Sequence, residues 1–259
     1  MRGPAWAVIP VASIVGVIFM IRFSSGTADW LTWLALIAVP ILAAAALGWG
    51  IHGARWWLAP LVVPLFLLAW RDPNALAGQA SGAILSALSC MMLGALLGAV
   101  TPARWLKLGI VLMSCADVWL IASDLLQTPN NELTVAAPPA QLPQLQSEQF
   151  GTVTMGYGDL FVAALLGAAW SSRPSMQWRA AVLTLACAAA FDLLFLVVDE
   201  LPATVPVAVV VIFLEAWQWR QRRRERAPGR AGRGRLSTIQ TSAPESAARW
   251  PGTTKHDPN

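Results

Sequence analysis

GQASGAILSALSCMMLGALLGAV, residues 78–100, runs for 23 residues without a charged side chain. A helix needs about 20 apolar residues to cross the hydrocarbon core of a bilayer, which is roughly 30 Å thick. The stretch therefore predicts a transmembrane helix. The rest of the chain has the same character, because 56% of all residues are hydrophobic and only 12% are charged. A soluble domain carries about twice that charged fraction.

Other segments approach this one in length and apolar character. Together they predict about eight spans, at residues 4–21, 30–50, 56–70, 78–100, 105–126, 151–170, 178–198 and 201–217. The first lacks a clear signal-peptide cleavage site and is interpreted as a retained helix. The third is short and contains Pro60 and Pro64, so it is expected to be tilted, kinked or re-entrant. The predicted fold class is an all-α, polytopic transmembrane helix bundle.

Positive charges divide unevenly between the two predicted sides. One side carries Arg2, Arg55, Arg104, Lys107, Arg173 and Arg179, and the tail adds eight arginines between Arg220 and Arg235. The other side carries only Arg22 and Arg71, each with an acid nearby. Because positive charge marks the cytoplasmic side, both termini are predicted to be cytoplasmic, in a multi-pass protein of the cell (plasma) membrane.

This pattern predicts three regions. Residues 1–104 hold four scaffold spans, and residues 105–217 hold four candidate catalytic spans with an outer loop at 127–150. Residues 218–259 are predicted to form a disordered basic cytoplasmic tail, because they are rich in Arg, Gly, Pro and Ser. The Arg220–Arg235 cluster is expected to contact anionic lipid, and no nucleic-acid partner is expected.

Acidic side chains within the predicted spans indicate function, because a charge in hydrocarbon is costly. Asp117 and Asp159 lie in consecutive antiparallel spans, both roughly 14–15 Å below the predicted outer surface at about 1.5 Å per residue. Asp192 lies shallower in the next span, and Glu215 near a cytoplasmic end is expected to pair with tail arginines. On depth alone, hydrogen-bonded acids that serve helix packing, or ion or proton passage, are the slightly favoured interpretation.

Two carboxyl groups facing each other at low dielectric cannot both ionise cheaply, so one retains a proton. The charged group can then take a proton from a water that attacks a carbonyl, while the neutral group protonates the carbonyl oxygen. Aspartic proteases work in this way. If Asp117 and Asp159 face each other, the two aspartates can form such a dyad.

The sequence around the second acid, Gly156-Tyr157-Gly158-Asp159, resembles the Gly-x-Gly-Asp motif of the presenilin and signal peptide peptidase family of intramembrane aspartyl proteases. Asp117 matches the first aspartate of that family, with Ala116 where a Tyr is usual. Leu201-Pro202-Ala203-Thr204 is similar to its Pro-Ala-Leu motif, with Thr204 where Leu is expected. The resemblance covers about residues 105–217.

The resemblance implies an intramembrane aspartic endopeptidase that cleaves transmembrane or signal-peptide helices. Asp117 and Asp159 are then the catalytic residues, and the residues expected to bind substrate are Gly156, Tyr157, Gly158, Pro202 and Ala203. It implies a presenilin-like arrangement of the last four spans and no metal or organic cofactor. The family usually has nine spans. The predicted cytoplasmic position of the C-terminus is similar to the orientation of signal peptide peptidase.

Other functions stay open from the sequence. Thr154-Met155-Gly156-Tyr157-Gly158-Asp159 looks like a potassium channel filter, in which backbone carbonyls replace the hydration shell of the ion. Prolines upstream of this motif disfavour a pore helix, and few apolar residues follow it. Prepilin peptidases also contain Gly-x-Gly-Asp, but usually have Lys where this chain has Phe161. A transporter with a polar path through its acids and a non-catalytic membrane protein complete the alternatives.

Overall fold

The computed structural model describes residue 16 and residues 26–123, 142–150, 153–193 and 202–226. These residues are mostly helical, as predicted. The helices are α1 (Gly26–Ala45), α2 (Val62–Arg71), α3 (Leu76–Val100), α4 (Ala103–Ala122), α5 (Tyr157–Ala169), α6 (Pro174–Asp192) and α7 (Thr204–Arg226). The strands β1 (Ser147–Phe150) and β2 (Val153–Gly156) form an antiparallel pair. Apart from residue 16, predicted segment 4–21 lies outside the described residues.

Three described helical stretches are long and apolar enough to cross a membrane: Asp29–Gly50, Leu76–Val100 and Ala103–Ala122. The first is most of α1 with a π-helical turn, Ala46–Gly50, at its end. A total of eight spans stays a prediction.

The distribution of side chains also suits hydrocarbon rather than water. Ile41 on α1 is 62% exposed and Leu185 on α6 is 73% exposed, whereas Ser86 and Ser89 on α3 are fully buried. Soluble proteins bury most of their large apolar side chains and keep most serines at the surface. The outer surface of these helices therefore matches the apolar interior of a bilayer.

The segment containing Pro60 and Pro64 is irregular, as expected. A 3₁₀ helix, Trp56–Leu61, leads directly into α2. Pro60 lies inside the 3₁₀ helix and Pro64 lies in the first turn of α2, where a missing N–H costs little. The combined stretch Trp56–Arg71 falls among the shorter apolar helices.

Helix α3 is the centre of the fold, since it contacts α1, α2, β1 and α5. Its closest approach is to α5, where a Cβ added to Gly94 would lie 2.9 Å from the carbonyl oxygen of Ala164. One turn further on, a Cβ on Gly98 would lie 3.2 Å from the Cβ of Ala168. Small residues four apart let two helix backbones meet in this way. The α3–α5 contact fixes the position of the segment that carries Asp159.

Replacing Gly94 with Ala is expected to lower the thermal stability of the detergent-solubilised protein, because the methyl group overlaps backbone that cannot rotate away. Overpacking of this kind costs about 1–3 kcal/mol. Gly167→Ala on α5 is the matched control, since its Cβ would meet only the Gln177 side chain, at 3.7 Å. Equal melting temperatures for the two variants would contradict the close contact.

Helix α5 contributes to two clusters of buried apolar residues. The first joins α4, α5, α6 and α7, and its fully buried members include Ile110, Leu165 and Leu214. The second joins α1, α2 and α3 to residues 142–145, and Tyr157 packs against it. The beginning of α5 therefore packs against the N-terminal helices, and its later part packs against α3 and also against the C-terminal helices.

The structure corrects the predicted helix at 151–170. Residues Val153–Gly156 form β2, and the helix begins only at Tyr157. Val153 and Thr154 are β-branched and favour strands, and pairing with β1 satisfies backbone groups that a helix would otherwise satisfy internally. Hydropathy alone does not distinguish these alternatives.

Only the end of the predicted outer loop at 127–150 is described, and it contains β1 (Ser147–Phe150). Pro143 and Leu145 are buried, and Leu145 has no exposed surface. The Gln146 side chain donates a hydrogen bond to the Thr32 hydroxyl at 3.2 Å. The end of this segment therefore packs against the helices, because it carries apolar residues and leads into β1.

The chain divides into two compact units, Met1–Leu214 and Glu215–Asn259. In the second unit the structure corrects the disorder predicted from residue 218, because α7 continues to Arg226. Gln and Arg favour helix, and contacts four residues apart support it. The Arg222 guanidinium donates to the Gln218 side-chain oxygen at 3.4 Å, and Arg223 lies 3.7 Å from the ring centre of Trp219. Residues 227–259 lie outside the described residues.

Candidate active site

Asp159 lies in the first turn of α5, directly after β2. Its carboxylate accepts a hydrogen bond from the backbone N–H of Gly156 at 3.3 Å. This contact satisfies one of the N–H groups left free where a helix begins. A carboxylate is also stabilised there by the helix dipole. The junction between β2 and α5 therefore fixes the position of Asp159 and the orientation of one of its carboxylate oxygens.

Asp117 lies near the C-terminal end of α4 and is held by α7. The Thr204 hydroxyl donates a hydrogen bond to Oδ2 of Asp117 at 2.7 Å. Thr204 is the first residue of α7 and is only 6% exposed. Pro202 and Ala203 come immediately before it, so this contact brings the Pro-Ala segment to the first aspartate.

The two aspartates are close enough to interact electrostatically, since the charge of Asp117 acts on the carboxyl group of Asp159. The structure thus brings together Asp117, Asp159 and Thr204 from three separate helices. Asp192, the shallower acid of the next predicted span, is exposed at the end of α6.

Each acid is anchored through one oxygen. Thr204 holds Asp117 and the Gly156 amide holds Asp159. The described residues contain no group of three or more His, Cys, Asp or Glu side chains able to hold a metal ion. Two carboxyl groups, each able to hold or release a proton, have the chemistry of an acid–base pair.

The glycines of the motif border open space. A Cβ added to Gly158 would have no atom within 4 Å, and one added to Gly156 would touch only the Asp159 carboxylate, at 3.5 Å, and the Gly158 amide nitrogen. Gly156 has φ −73° and ψ 148°, which any residue adopts. Among the described residues, packing requires neither glycine, and there is open space beside Gly158.

Tyr157, predicted to bind substrate, is engaged by the scaffold in this structure. Its hydroxyl lies 2.7 Å from the Ser89 hydroxyl of α3, and its carbonyl accepts a weak hydrogen bond from the Cys90 thiol at 3.8 Å. Its N–H donates to the Gln146 carbonyl at 3.2 Å, which extends the pairing of the strands. Sequence analysis missed Ser89, and its only signal was a serine within the apolar stretch 78–100.

The Ser89–Tyr157 hydrogen bond is expected to stabilise the site. Tyr157→Phe leaves a fully buried hydroxyl without this partner, which costs about 1–3 kcal/mol. Removing both hydroxyls, by Ser89→Ala with Tyr157→Phe, should cost less than the sum of the single changes. A double-mutant cycle on thermal unfolding measures this coupling, and strict additivity would show that the contact contributes nothing.

The potassium-filter likeness is less compatible with this geometry. Gln149 pairs with Thr154 and Ser147 pairs with Gly156 in the β1–β2 ladder. A filter needs the carbonyls of an extended segment free to coordinate ions, but here the extended backbone belongs to a sheet and becomes helical at Tyr157.

In comparisons with known proteins, the chain matches no family model, no curated protein and no solved structure.

Proposed function

We propose that this chain is an intramembrane aspartyl protease of the presenilin and signal peptide peptidase type. It would cleave transmembrane or signal-peptide helices in the cell membrane, with both termini cytoplasmic. The observation that supports this most is the convergence of Asp117, Asp159 and Thr204. These residues come from the three motifs that carry the family resemblance, which lie far apart in the sequence.

In the proposed mechanism the two aspartates share one proton. The ionised carboxylate removes a proton from water, and the hydroxide adds to the carbonyl carbon of the scissile peptide. The neutral carboxyl group gives its proton to the carbonyl oxygen. Collapse of the tetrahedral intermediate breaks the C–N bond, and a proton passes to the leaving amine. The products are a new carboxyl terminus and a new amino terminus.

A helical substrate must unwind before it can present a carbonyl, because its amides are already satisfied internally. The β1–β2 sheet beside the dyad offers alternative hydrogen-bond partners for the backbone amides of an unwound substrate. Strand β2 leads directly to Asp159, and its pairing with β1 uses one edge. An extended substrate segment can add to the other edge through backbone hydrogen bonds. Gly158, which borders open space, follows the end of β2 by two residues.

Gly158→Ala is expected to lower cleavage by about 10- to 100-fold while leaving thermal stability unchanged. The added methyl meets no atom of the chain, but it occupies space assigned to the substrate, and small misplacements of a substrate are costly. Gly167→Ala, on the same helix but away from the acids, is the control for cleavage. If Gly158→Ala cleaves normally, the substrate does not approach there.

The function is tested with full-length protein in liposomes that contain a fluorescent reporter transmembrane peptide. Wild type should cleave the peptide, and both Asp117→Ala and Asp159→Ala should not. Asp192→Ala is the matched control, since it removes an exposed acid from the neighbouring helix. Activity lost equally in all three variants, together with ion flux through wild-type liposomes, would instead support a polar transport path.

A further inference from the structure

Tyr157 lies where the chain changes from strand to helix. Strand β2 ends at Gly156, α5 begins at Tyr157, and Asp159 follows two residues later. Residues in one turn of a helix move together, because backbone hydrogen bonds between residues four apart fix their relative positions. The contacts made by Tyr157 therefore bear directly on the placement of the Asp159 side chain.

Helix α3 holds Tyr157 through two neighbouring residues. The Ser89 hydroxyl lies 2.7 Å from the Tyr157 hydroxyl. The Cys90 thiol donates a weak hydrogen bond to the Tyr157 carbonyl at 3.8 Å. Ser89 has no exposed surface and Cys90 is buried, so both of these partners are shielded from solvent. The side chain and the backbone of Tyr157 are thus both bound to one turn of α3.

The backbone N–H of Tyr157 is held by a different segment. It donates to the carbonyl of Gln146, the residue directly before β1, at 3.2 Å. The Gln146 side chain in turn donates to the hydroxyl of Thr32 on α1 at 3.2 Å, and Thr32 is buried. Tyr157 is therefore linked to α3 directly and to α1 through Gln146.

The contact between α3 and α5 continues beyond Tyr157. Gly94, five residues after Ser89, approaches the backbone of Ala164, which lies seven residues after Tyr157. The contacts follow the same order along both helices, so α3 and α5 pack in parallel. A Cβ on Gly94 would lie 2.9 Å from the Ala164 carbonyl oxygen, which leaves little room for one helix to shift along the other. Ser89 is thereby fixed relative to the first turn of α5.

We propose that Ser89 and Tyr157 are positioning residues for the reaction proposed above. The contact between their hydroxyls sets the start of α5 and thereby directs the Asp159 carboxyl group towards Asp117. Neither hydroxyl is assigned a contact with the substrate. The inference rests on the proposed function, and it gives Tyr157 a role in catalysis through Asp159 in place of the substrate-binding role that the resemblance implies.

The test measures cleavage of the reporter transmembrane peptide by full-length protein in liposomes, well below the melting temperature of each variant. Ser89→Ala should lower kcat about tenfold, because a small misplacement of a catalytic group is costly. KM should stay nearly unchanged, since the substrate does not meet Ser89. Tyr157→Phe should lower kcat to a similar degree. The double variant should be no slower than either single variant, because the two hydroxyls act as one unit.

Ser81→Ala is the matched control. Ser81 is also a buried serine of α3, but its hydroxyl donates to the carbonyl of Ala77 in the same helix at 2.7 Å. This variant should keep the kcat of wild type. An unchanged kcat in Ser89→Ala, or an equal loss in Ser81→Ala, overturns the proposal. A higher KM with unchanged kcat in Tyr157→Phe also overturns it, because the tyrosine hydroxyl would then bind substrate.

Infrared spectroscopy follows the acids without requiring cleavage. One carboxyl group of the proposed dyad is neutral, and its C=O stretching band is identified by the change that Asp159→Asn produces. The band should shift in Ser89→Ala and in Tyr157→Phe but not in Ser81→Ala. This pattern in a protein that cleaves no peptide would contradict the proposed function and support the link between Ser89 and Asp159. An unmoved band in Ser89→Ala overturns the link.

Discussion

Asp117→Asn and Asp159→Asn should each lower kcat/KM for a reporter transmembrane peptide by roughly 10⁴-fold or to the background rate. Asparagine preserves the shape of aspartate and can still accept the hydrogen bonds from Thr204 and Gly156. It cannot take up or release a proton, so the change removes acid–base chemistry with little effect on packing. Melting temperatures should therefore stay near that of wild type.

The double variant distinguishes a shared site from two independent contributions. If the two acids act as a unit, Asp117→Asn combined with Asp159→Asn should be no slower than either single variant. Asp192→Asn is the matched control and should cleave normally. Substantial activity in either single variant, with normal folding, is incompatible with a dyad.

Thr204→Val is expected to have the next largest effect. Valine has nearly the same shape but removes the hydroxyl that donates to Asp117 at 2.7 Å. A hydrogen bond to a charged group contributes about 1.5–3 kcal/mol, which corresponds to a loss of about 10- to 100-fold in kcat. Thr204 is a positioning residue in this account, so KM should change much less than kcat.

Thr204→Ser is the control for this change. Serine keeps the hydroxyl and should recover most of the activity lost in Thr204→Val, because one donated hydrogen bond is sufficient to orient the carboxylate. A loss in Thr204→Ser equal to that in Thr204→Val would assign the effect to the missing methyl group and to packing at the start of α7 instead.

The resemblance allowed the grouping of Asp117, Asp159 and the Pro202-Ala203 segment to be predicted. The equal predicted depth of Asp117 and Asp159 in consecutive spans supported pairing the two acids. The likeness to the Pro-Ala-Leu motif indicated that the Pro202-Ala203 segment lies near them. Relative to the Pro-Ala-Leu motif, Thr204 is a departure from the expected Leu. The structure gives it a role, because its hydroxyl holds Asp117. The sequence alone does not explain why Thr204 stands where Leu is expected, because it does not show which group the Thr204 hydroxyl contacts.

The β1–β2 pair was not predictable from hydropathy. Residues 151–170 are apolar enough to suggest one continuous helix, but strand formation at Val153–Gly156 depends on a partner, Ser147–Phe150, that lies in a segment predicted to be a loop. Pairing between segments is a tertiary effect. Periodicity and local propensity do not specify it.

The contact between α3 and α5 has a signal in the sequence. Gly94 and Gly98 are spaced four residues apart within an apolar helix, which is the pattern of close helix packing in membranes. The pattern identifies a contact face but not its partner, here Ala164 and Ala168. Likewise, the spacing of Ser89 and Tyr157 along the chain contains no indication that their hydroxyls meet.

The most direct test of the central claim is mass spectrometry of a reporter transmembrane peptide incubated with the reconstituted protein in water enriched in the heavy oxygen isotope. The account predicts a product whose new carboxyl terminus lies within the transmembrane segment and carries one heavy oxygen atom. This product should be absent with Asp117→Asn or Asp159→Asn and present with Asp192→Asn. No intramembrane product from wild type, or the same product from either dyad variant, would contradict the account.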